Sequence, residues 1–352
     1  MDRRAADSAR TARLDAVMAR PRVELAMYPD LPGRLFSRES IEWIRRYADI
    51  DPRAPLTEFT SRQARSRLQK TTILLTGWGS PEIDAQTIRY APDLKAVVHA
   101  AGTIKSHVSR YVFERGIPVS SAAEANAVPV AEYALAMILL ANKAVPALAR
   151  EYQAKRADLA LIRRGGTFGN HGRTVGLVGA SRIGRRVLGL LRPFDLTVLL
   201  SDPYVPASRI RELGATPADL AEVFARSDVV SLHAPATEQT RGMVTAELLS
   251  SLRDGATLIN TARGSLVDEQ ALLAELLTGR LSAVLDVTDP EIPAPDSPLW
   301  DLPNVVLTPH VAGALGGEVA RLGASAAEEV IRVLTGKPLA HPVDPATLAI
   351  TA

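Results

Sequence analysis

The stretch GLVGASRIG, residues 176–184, sets Gly179, Ser181 and Gly184 at the spacing of a G-x-G-x-x-G turn, with serine in the middle place. Such a turn binds phosphate by its shape. The first glycine allows the tight bend, the second lets the backbone approach a pyrophosphate, and the third lets helix and strand pack closely. The helix that follows, opening with Arg182 and Ile183, offers free N–H groups and the positive end of its dipole. Asp202 ends the next apolar run, close to the ~20-residue spacing at which an acidic residue receives the adenosine ribose. A carboxylate there would repel a 2′-phosphate, so the expected cofactor is NAD(H). Ser181 either pushes the pyrophosphate outward or donates to it, and the small hydroxyl favours donation.

Three further stretches close apolar runs with a polar group: LINTARGSLVDEQALLAEL (258–276) with Arg263, LDVTDPEIP (285–293) with Glu291, and TPHVAG (308–313) with His310. If those runs are parallel strands, the three side chains emerge at their carboxyl ends, where ligands of open α/β sheets bind. They would then converge on the reactive end of a cofactor anchored at the glycine turn. His310 taken alone reads as a core histidine at a strand end; its company changes the reading. Asp289 lies two positions before Glu291, so either carboxylate could face the histidine.

The elements needed to position these groups are legible. Strands are expected at 22–29, 71–78 and 94–102, with a serine-capped helix at 37–48, a βαβ rhythm that implies a parallel sheet. A long helical pattern, 128–156, is interrupted at Pro146. A second series places strands at 173–179, 196–202, 228–235, 255–262, 281–287 and 304–310, and helices at 182–194 and 268–279. That is the strand count of a doubly wound dinucleotide-binding domain. A Pro-rich loop, 289–298, precedes the last strand, and an amphipathic helix over 317–336 ends at Gly336 and Pro338.

Composition limits the classes open to the chain. A net charge of +2 across 352 residues gives no reason to expect a nucleic-acid partner, and without cysteine there are no disulfides or thiolate sites. The first twenty residues lack an apolar core, so a helical or frayed extension is expected there rather than a secretory signal. The apolar run YALAMILLA, 133–141, falls short of the ~20 residues that span a bilayer, so no membrane segment and a cytoplasmic setting are expected. His99, His107, His171 and His341 show no metal-ligand spacing, and no metal is expected.

From LKAVVHAAG to TPHVAG, and most densely over 173–313, the motifs and their order resemble those of the D-isomer-specific 2-hydroxyacid dehydrogenases. The resemblance implies two Rossmann-like α/β domains: a doubly wound NAD-binding domain, 131–316, inserted in a flavodoxin-like substrate domain made of 1–130 and 317–352. It implies that Arg263 binds the substrate carboxylate and polarises the 2-oxo group. His310 would be the acid/base, and Glu291 would hold the imidazole and favour its protonated form. Asp286 would accept from the nicotinamide carboxamide. His233, Pro235, Thr240, Ala262 and Gly313 would line the cofactor, and the backbone of Ala101 and Gly102 would receive the substrate, with Trp78 nearby as a limit on its size.

The implied reaction is hydride transfer between nicotinamide C4 and C2 of a small anionic 2-hydroxy or 2-oxo acid. Formate-oxidising relatives carry glutamine where Glu291 stands and release no hydroxyl proton, so Glu291 argues for a hydroxyl/carbonyl interconversion. A phosphonate-type or phosphite substrate stays open. A nicotinamide-sensing, corepressor-like interaction protein with the same three side chains is the competing class. The resemblance also implies a homodimer through the long helix after VAE, and the apolar face of 130–148 agrees.

Overall fold

A computed structural model describes residues 20–161 and 168–348; the expected N-terminal extension lies outside the described residues, apart from Arg20. The chain divides into two compact units, one of residues 20–125 and 316–345, the other of 126–315 and 346–348. The first crossing therefore falls at Ala125, inside the helix Ala123–Asn142, rather than at the expected residue 130.

The first unit holds β1 (Arg22–Ala26), β2 (Asp49–Ile50), β3 (Ile73–Thr76), β4 (Ala96–His99) and β5 (Val119–Ser121), all parallel in the order β2-β1-β3-β4-β5. This is the flavodoxin-like order. β1, β3 and β4 are where the apolar runs placed them; β2 and β5 were not foreseen. Every residue of β3 and β4 is buried, as a strand covered on both faces requires. Ser37 caps the helix Arg38–Arg45 by accepting from the Ser40 amide. The C-terminal helix, Val319–Leu334, packs so tightly on the helix Pro32–Leu35 that a Cβ on Gly323 would lie 1.7 Å from the Leu35 carbonyl oxygen.

The second unit contains β6 (Arg173–Val178), β7 (Leu196–Ser201), β8 (Thr216–Pro217), β9 (Val229–Leu232), β10 (Thr257–Asn260), β11 (Ser282–Leu285) and β12 (Val305–Leu307). The sheet is parallel throughout and ordered β12-β11-β10-β9-β6-β7-β8. The six expected strands are present. The two-residue β8 makes a seventh, too short to carry a pattern. Successive residues face opposite cores: Leu199, Val230, Leu258 and Leu285 fill one, while Leu200, Val229, Ile259 and Val284 fill the other. Strand order reverses between β6 and β9, which opens a crevice at their carboxyl ends.

The long helical pattern resolves into two helices, Ala123–Asn142 and Val145–Lys155. The break is two residues earlier than expected, at Ala144, whose φ of 52° is left-handed; Pro146 belongs to the first turn of the second helix, where its missing N–H costs nothing. With 20 residues, Ala123–Asn142 is by length and composition long and apolar enough to cross a membrane, more so than its nine-residue apolar run suggests. Ala131, Ala134 and Ile138, however, pack in the second unit's core against the sheet, the mark of a core helix.

Candidate active site

At the end of β6 the chain turns at Gly179, whose φ of 98° suits glycine alone. A Cβ there would sit 2.7 Å from the Ala234 amide nitrogen, so the turn is packed against the chain leaving β9. A Cβ on Gly184 would meet the Gly179 oxygen at 2.1 Å, the close helix–strand approach that the third glycine exists to permit. Ser181 caps the helix Arg182–Leu191: its Oγ accepts from the Gly184 amide at 3.3 Å. The hydroxyl proton is not used by that bond, so Ser181 can cap and still donate outward. Asp202 braces the same turn, accepting from the Ala180 amide at 2.7 Å and the Tyr204 amide at 2.8 Å.

A cleft of ≈ 740 Å³ runs along this edge, lined by Gly179, Asp202, Tyr204, Ala234, Pro235 and Thr240. Thr240 stiffens its wall, donating to the Pro235 carbonyl at 2.6 Å and accepting from the Thr237 amide at 2.8 Å. His233, just past β9, is buried, and among the described residues neither of its ring nitrogens has a hydrogen-bond partner. Burial pushes its pKa down to about 4, so the ring is neutral. A glycine cradle with no room for Cβ, a helix N-terminus opening at Arg182 and Ile183, a carboxylate at the next strand end and an apolar cleft fit a dinucleotide.

The candidate reacting groups leave the next strands. Beyond β10, Asn260 folds the chain back on itself: its Nδ2 donates to the Arg263 carbonyl at 2.9 Å and its Oδ1 accepts from the Ala262 amide at 3.0 Å. Arg263 donates from Nη1 to the Ala262 carbonyl at 2.6 Å. Gly264 lies against the chain beyond β11, and a Cβ on it would be 2.0 Å from the Thr288 carbonyl carbon. Thr288 in turn shapes the Pro-rich loop, donating to the carbonyls of Pro290 at 2.8 Å and Glu291 at 3.0 Å.

That loop delivers Glu291 to the histidine, with Oε1 2.5 Å from His310 Nδ1. Asp289, the other candidate in the sequence, points elsewhere and pairs with Arg241 at 3.6 Å. His310 is 48% exposed and has a left-handed φ of 54°, a conformation that costs a non-glycine residue on the order of 1 kcal/mol and persists only where its surroundings enforce it. Asp286 supplies that enforcement. It is 1% exposed and accepts from Thr308 Oγ1 at 2.6 Å, Val311 N at 2.8 Å and Ala312 N at 2.9 Å, while its carbonyl accepts from His310 N at 2.9 Å. The Asp286 carboxylate, expected to face the nicotinamide carboxamide, is thus turned towards its own chain. Among the described residues His310 Nε2 has no hydrogen-bond partner. A ring whose Nδ1–H is held by a carboxylate presents Nε2 as the atom that gives or takes a proton.

The arrangement brings Glu291 and His310 into direct contact and packs the Arg263 turn on the loop that carries Glu291. Gly313 approaches Asn126, whose Oδ1 accepts from the Ala314 amide at 2.9 Å. Trp78, Ala101 and Gly102 belong to the first unit. Trp78 follows β3 and its carbonyl accepts from the Tyr28 amide at 2.8 Å; Ala101 is buried behind β4. His99 is buried in the same unit, 2.8 Å from Thr76 Oγ1 and with its ring centre 5.0 Å from that of His107. Asn260, Thr288, Thr308 and Tyr133 escaped sequence reasoning, because a lone amide or hydroxyl after a strand carries no signal until its partner is known.

Fold and site together define a nicotinamide-dinucleotide-binding protein of the doubly wound class. Residues 135–312 match the NAD binding domain of the D-isomer specific 2-hydroxyacid dehydrogenases. The chain belongs to that family. It is 36% identical over 259 residues to a D-3-phosphoglycerate dehydrogenase of Mycobacterium tuberculosis, covering 72% of this chain and 48% of the relative. A D-3-phosphoglycerate dehydrogenase of Archaeoglobus fulgidus is 31% identical over 264 residues, covering 75% and 50%. The chain therefore spans about half the length of these relatives. The crystal structure of a 2-hydroxyacid dehydrogenase from Ketogulonicigenium vulgare superposes with a TM-score of 0.72 at 26% identity, covering 93% of this chain and 99% of that one.

Proposed function

We propose that this protein is an NAD-dependent dehydrogenase that interconverts a small 2-hydroxy acid and its 2-oxo acid. The bound nicotinamide would supply or take up the hydride at C2. The guanidinium of Arg263 pairs through its planar fork with the substrate carboxylate and polarises the 2-oxo group. His310 Nε2–H gives its proton to the carbonyl oxygen during reduction and withdraws it during oxidation, a transfer of the kind worth about 10²–10⁴ in rate. Glu291 holds the ring by Nδ1 so that Nε2 faces the substrate. The observation that carries the proposal is the 2.5 Å contact between Glu291 and His310, a carboxylate–imidazole pair with its far nitrogen unengaged.

Asp202 favours NAD(H) over NADP(H), since a 2′-phosphate would meet a carboxylate already committed to bracing the turn. Thr240, Ala262, His233, Pro235 and Gly313 complete the cofactor wall in this reading; Ala101, Gly102 and Trp78 contribute to substrate recognition. The chain acts as a homodimer through the helix Ala123–Asn142 and the segment after it, where Leu140, Val145, Tyr152 and Phe168 are exposed.

The test is a screen of 2-oxo acids with NADH and NADPH, and of 2-hydroxy acids, D-3-phosphoglycerate and phosphite with NAD, repeated with His310→Ala. Turnover of at least one hydroxy/oxo pair, faster with NADH than NADPH and reduced about 10²-fold or more by the substitution, is expected. NADH binding with no turnover of any acid would mean a sensor, and preference for NADPH would overturn the role of Asp202.

A further inference from the structure

Behind His310 runs a line of hydroxyls that the proposed reaction does not use. Tyr133, on the helix Ala123–Asn142, places its phenolic oxygen 2.9 Å from Thr308 Oγ1, and Thr308 stands 2.6 Å from Asp286 Oδ1. The direction of these bonds follows from chemistry. A carboxylate only accepts, so the single Thr308 proton points at Asp286, which leaves the threonine oxygen as an acceptor. Tyr133 must then be the donor. Burial, with the Asp286 charge nearby, raises the Tyr133 pKa above its usual value, so the phenol keeps the proton it donates.

The far end of this line is the backbone around His310. Asp286 accepts from the amides of Val311 and Ala312 with its two carboxylate oxygens and from the His310 amide with its carbonyl. Those bonds hold residue 310 at its left-handed φ of 54° and so set the direction in which the imidazole leaves the chain. Oδ1 is shared between Thr308 and Val311, so the orientation of the carboxylate depends on the threonine hydroxyl. Asp286 holds that hydroxyl from the proton side only, so its position also depends on what donates to the threonine oxygen. Among the described residues, that donor is Tyr133.

We propose that Tyr133 is a positioning residue for His310, acting through Thr308 and Asp286 to keep the imidazole on Glu291. The proposal rests on His310 being the acid/base of the reaction above, and it goes beyond that reading by assigning a task to a side chain of the helix Ala123–Asn142. Removing the phenolic hydroxyl leaves Thr308 held from the proton side only, loosens the Asp286 carboxylate and lets the His310 turn sample other directions. Adjacent hydrogen bonds in such a line polarise one another, so the loss spreads along it.

The test uses Tyr133→Phe, Thr308→Val, Thr308→Ser and the double variant Tyr133→Phe/Thr308→Val in the full chain, with His310→Ala as reference. On the best 2-oxo acid of the screen, Tyr133→Phe and Thr308→Val should each lower kcat about tenfold, less than the roughly 10²-fold that a full 1 Å misplacement can cost. KM and the NADH dissociation constant, read by fluorescence titration, should stay within about twofold. Thr308→Ser should restore most of the rate, and the double variant should be little worse than either single one, as members of one line are not additive. In the cofactor-free protein, the His310 ring signal in a histidine-labelled NMR spectrum, identified by its loss in His310→Ala, should shift or broaden in Tyr133→Phe. A wild-type kcat and an unmoved ring signal in Tyr133→Phe, with His310→Ala inactive, overturns the positioning role and leaves the function standing. Equal losses in Thr308→Val and Thr308→Ser that track a fall in melting temperature also overturn it, as a merely structural effect. Full turnover by His310→Ala removes the function and the positioning role together.

Discussion

A buried neutral imidazole weakens a protein as the pH falls, and this chain has two. His233 is held at a pKa of about 4 by burial, and His99 at about 3 by burial with His107 alongside. Above the ordinary histidine value of 6.5 both folded and unfolded rings are neutral and neither residue contributes. Below it the unfolded chain takes up protons that the folded one refuses, so stability declines until the pH reaches the folded value. Each imidazole should cost roughly 2 kcal/mol between pH 7 and pH 5. Denaturant midpoints at the two pH values should show the loss, and His233→Gln should make it smaller; an unchanged pH dependence in that variant would count against a neutral buried ring. The histidine proposed as acid/base differs in kind. His310 is half-exposed, with one nitrogen on Glu291 and the other unengaged, the disposition of a residue that exchanges protons.

At the scale of elements, the site is assembled from strand ends whose loops interlock. Ser181 and Gly264 make the contrast testable. Ser181 accepts from the Gly184 amide as a helix cap, so Ser181→Ala should destabilise the protein by about 1 kcal/mol and Ser181→Gly by only a few tenths. If the hydroxyl also donates to the cofactor, both substitutions should weaken NADH binding in titrations, beyond their effect on melting. At Gly264 there is no such tolerance, because a Cβ would stand 2.0 Å from the Thr288 carbonyl carbon. Gly264→Ala should force apart the loops bearing Arg263 and Glu291, abolish most turnover and cost about 1–3 kcal/mol of stability, the usual range for overpacking. A variant with normal kcat and melting temperature would show that the two loops move independently.

For the molecule as a whole, the long helix is packed on one side and leads into an exposed apolar segment. Ala131, Ala134 and Ile138 bury one side of it in the core of the second unit, and Tyr133 reaches Thr308 from the same helix. Leu140 near its end is exposed, as are Val145 and Tyr152 on the following helix and Phe168 beyond it, and these are the residues through which the proposed dimer would form. Light scattering at micromolar concentration should give twice the chain mass of 37.7 kDa. Leu140→Glu with Tyr152→Glu should yield monomers, since a charge buried in an apolar interface without a counter-ion is costly. A monomeric parent protein would dispose of the dimer.

Motif and period were enough to place the glycine turn, Asp202, six strands of the second unit and the positions of Arg263, Glu291 and His310 just beyond strands, because each of these is local: a run of apolar residues, a turn, a polar side chain past a strand end. The strands Asp49–Ile50 and Thr216–Pro217 were not legible, since two residues have no periodicity and exist as strands only through bonds to a neighbour. Nor was the choice between Asp289 and Glu291, which differ by two positions in one loop. That choice depends on Thr288 bending the loop so that Glu291 meets a histidine 19 positions away. Tyr133 and Thr308, 175 positions apart, lie further still beyond any pattern. The sequence by itself determined which chemistry stands at which strand end; the tertiary structure alone decided which group touches which, because hydrogen bonds form between atoms near in space whatever their distance along the chain.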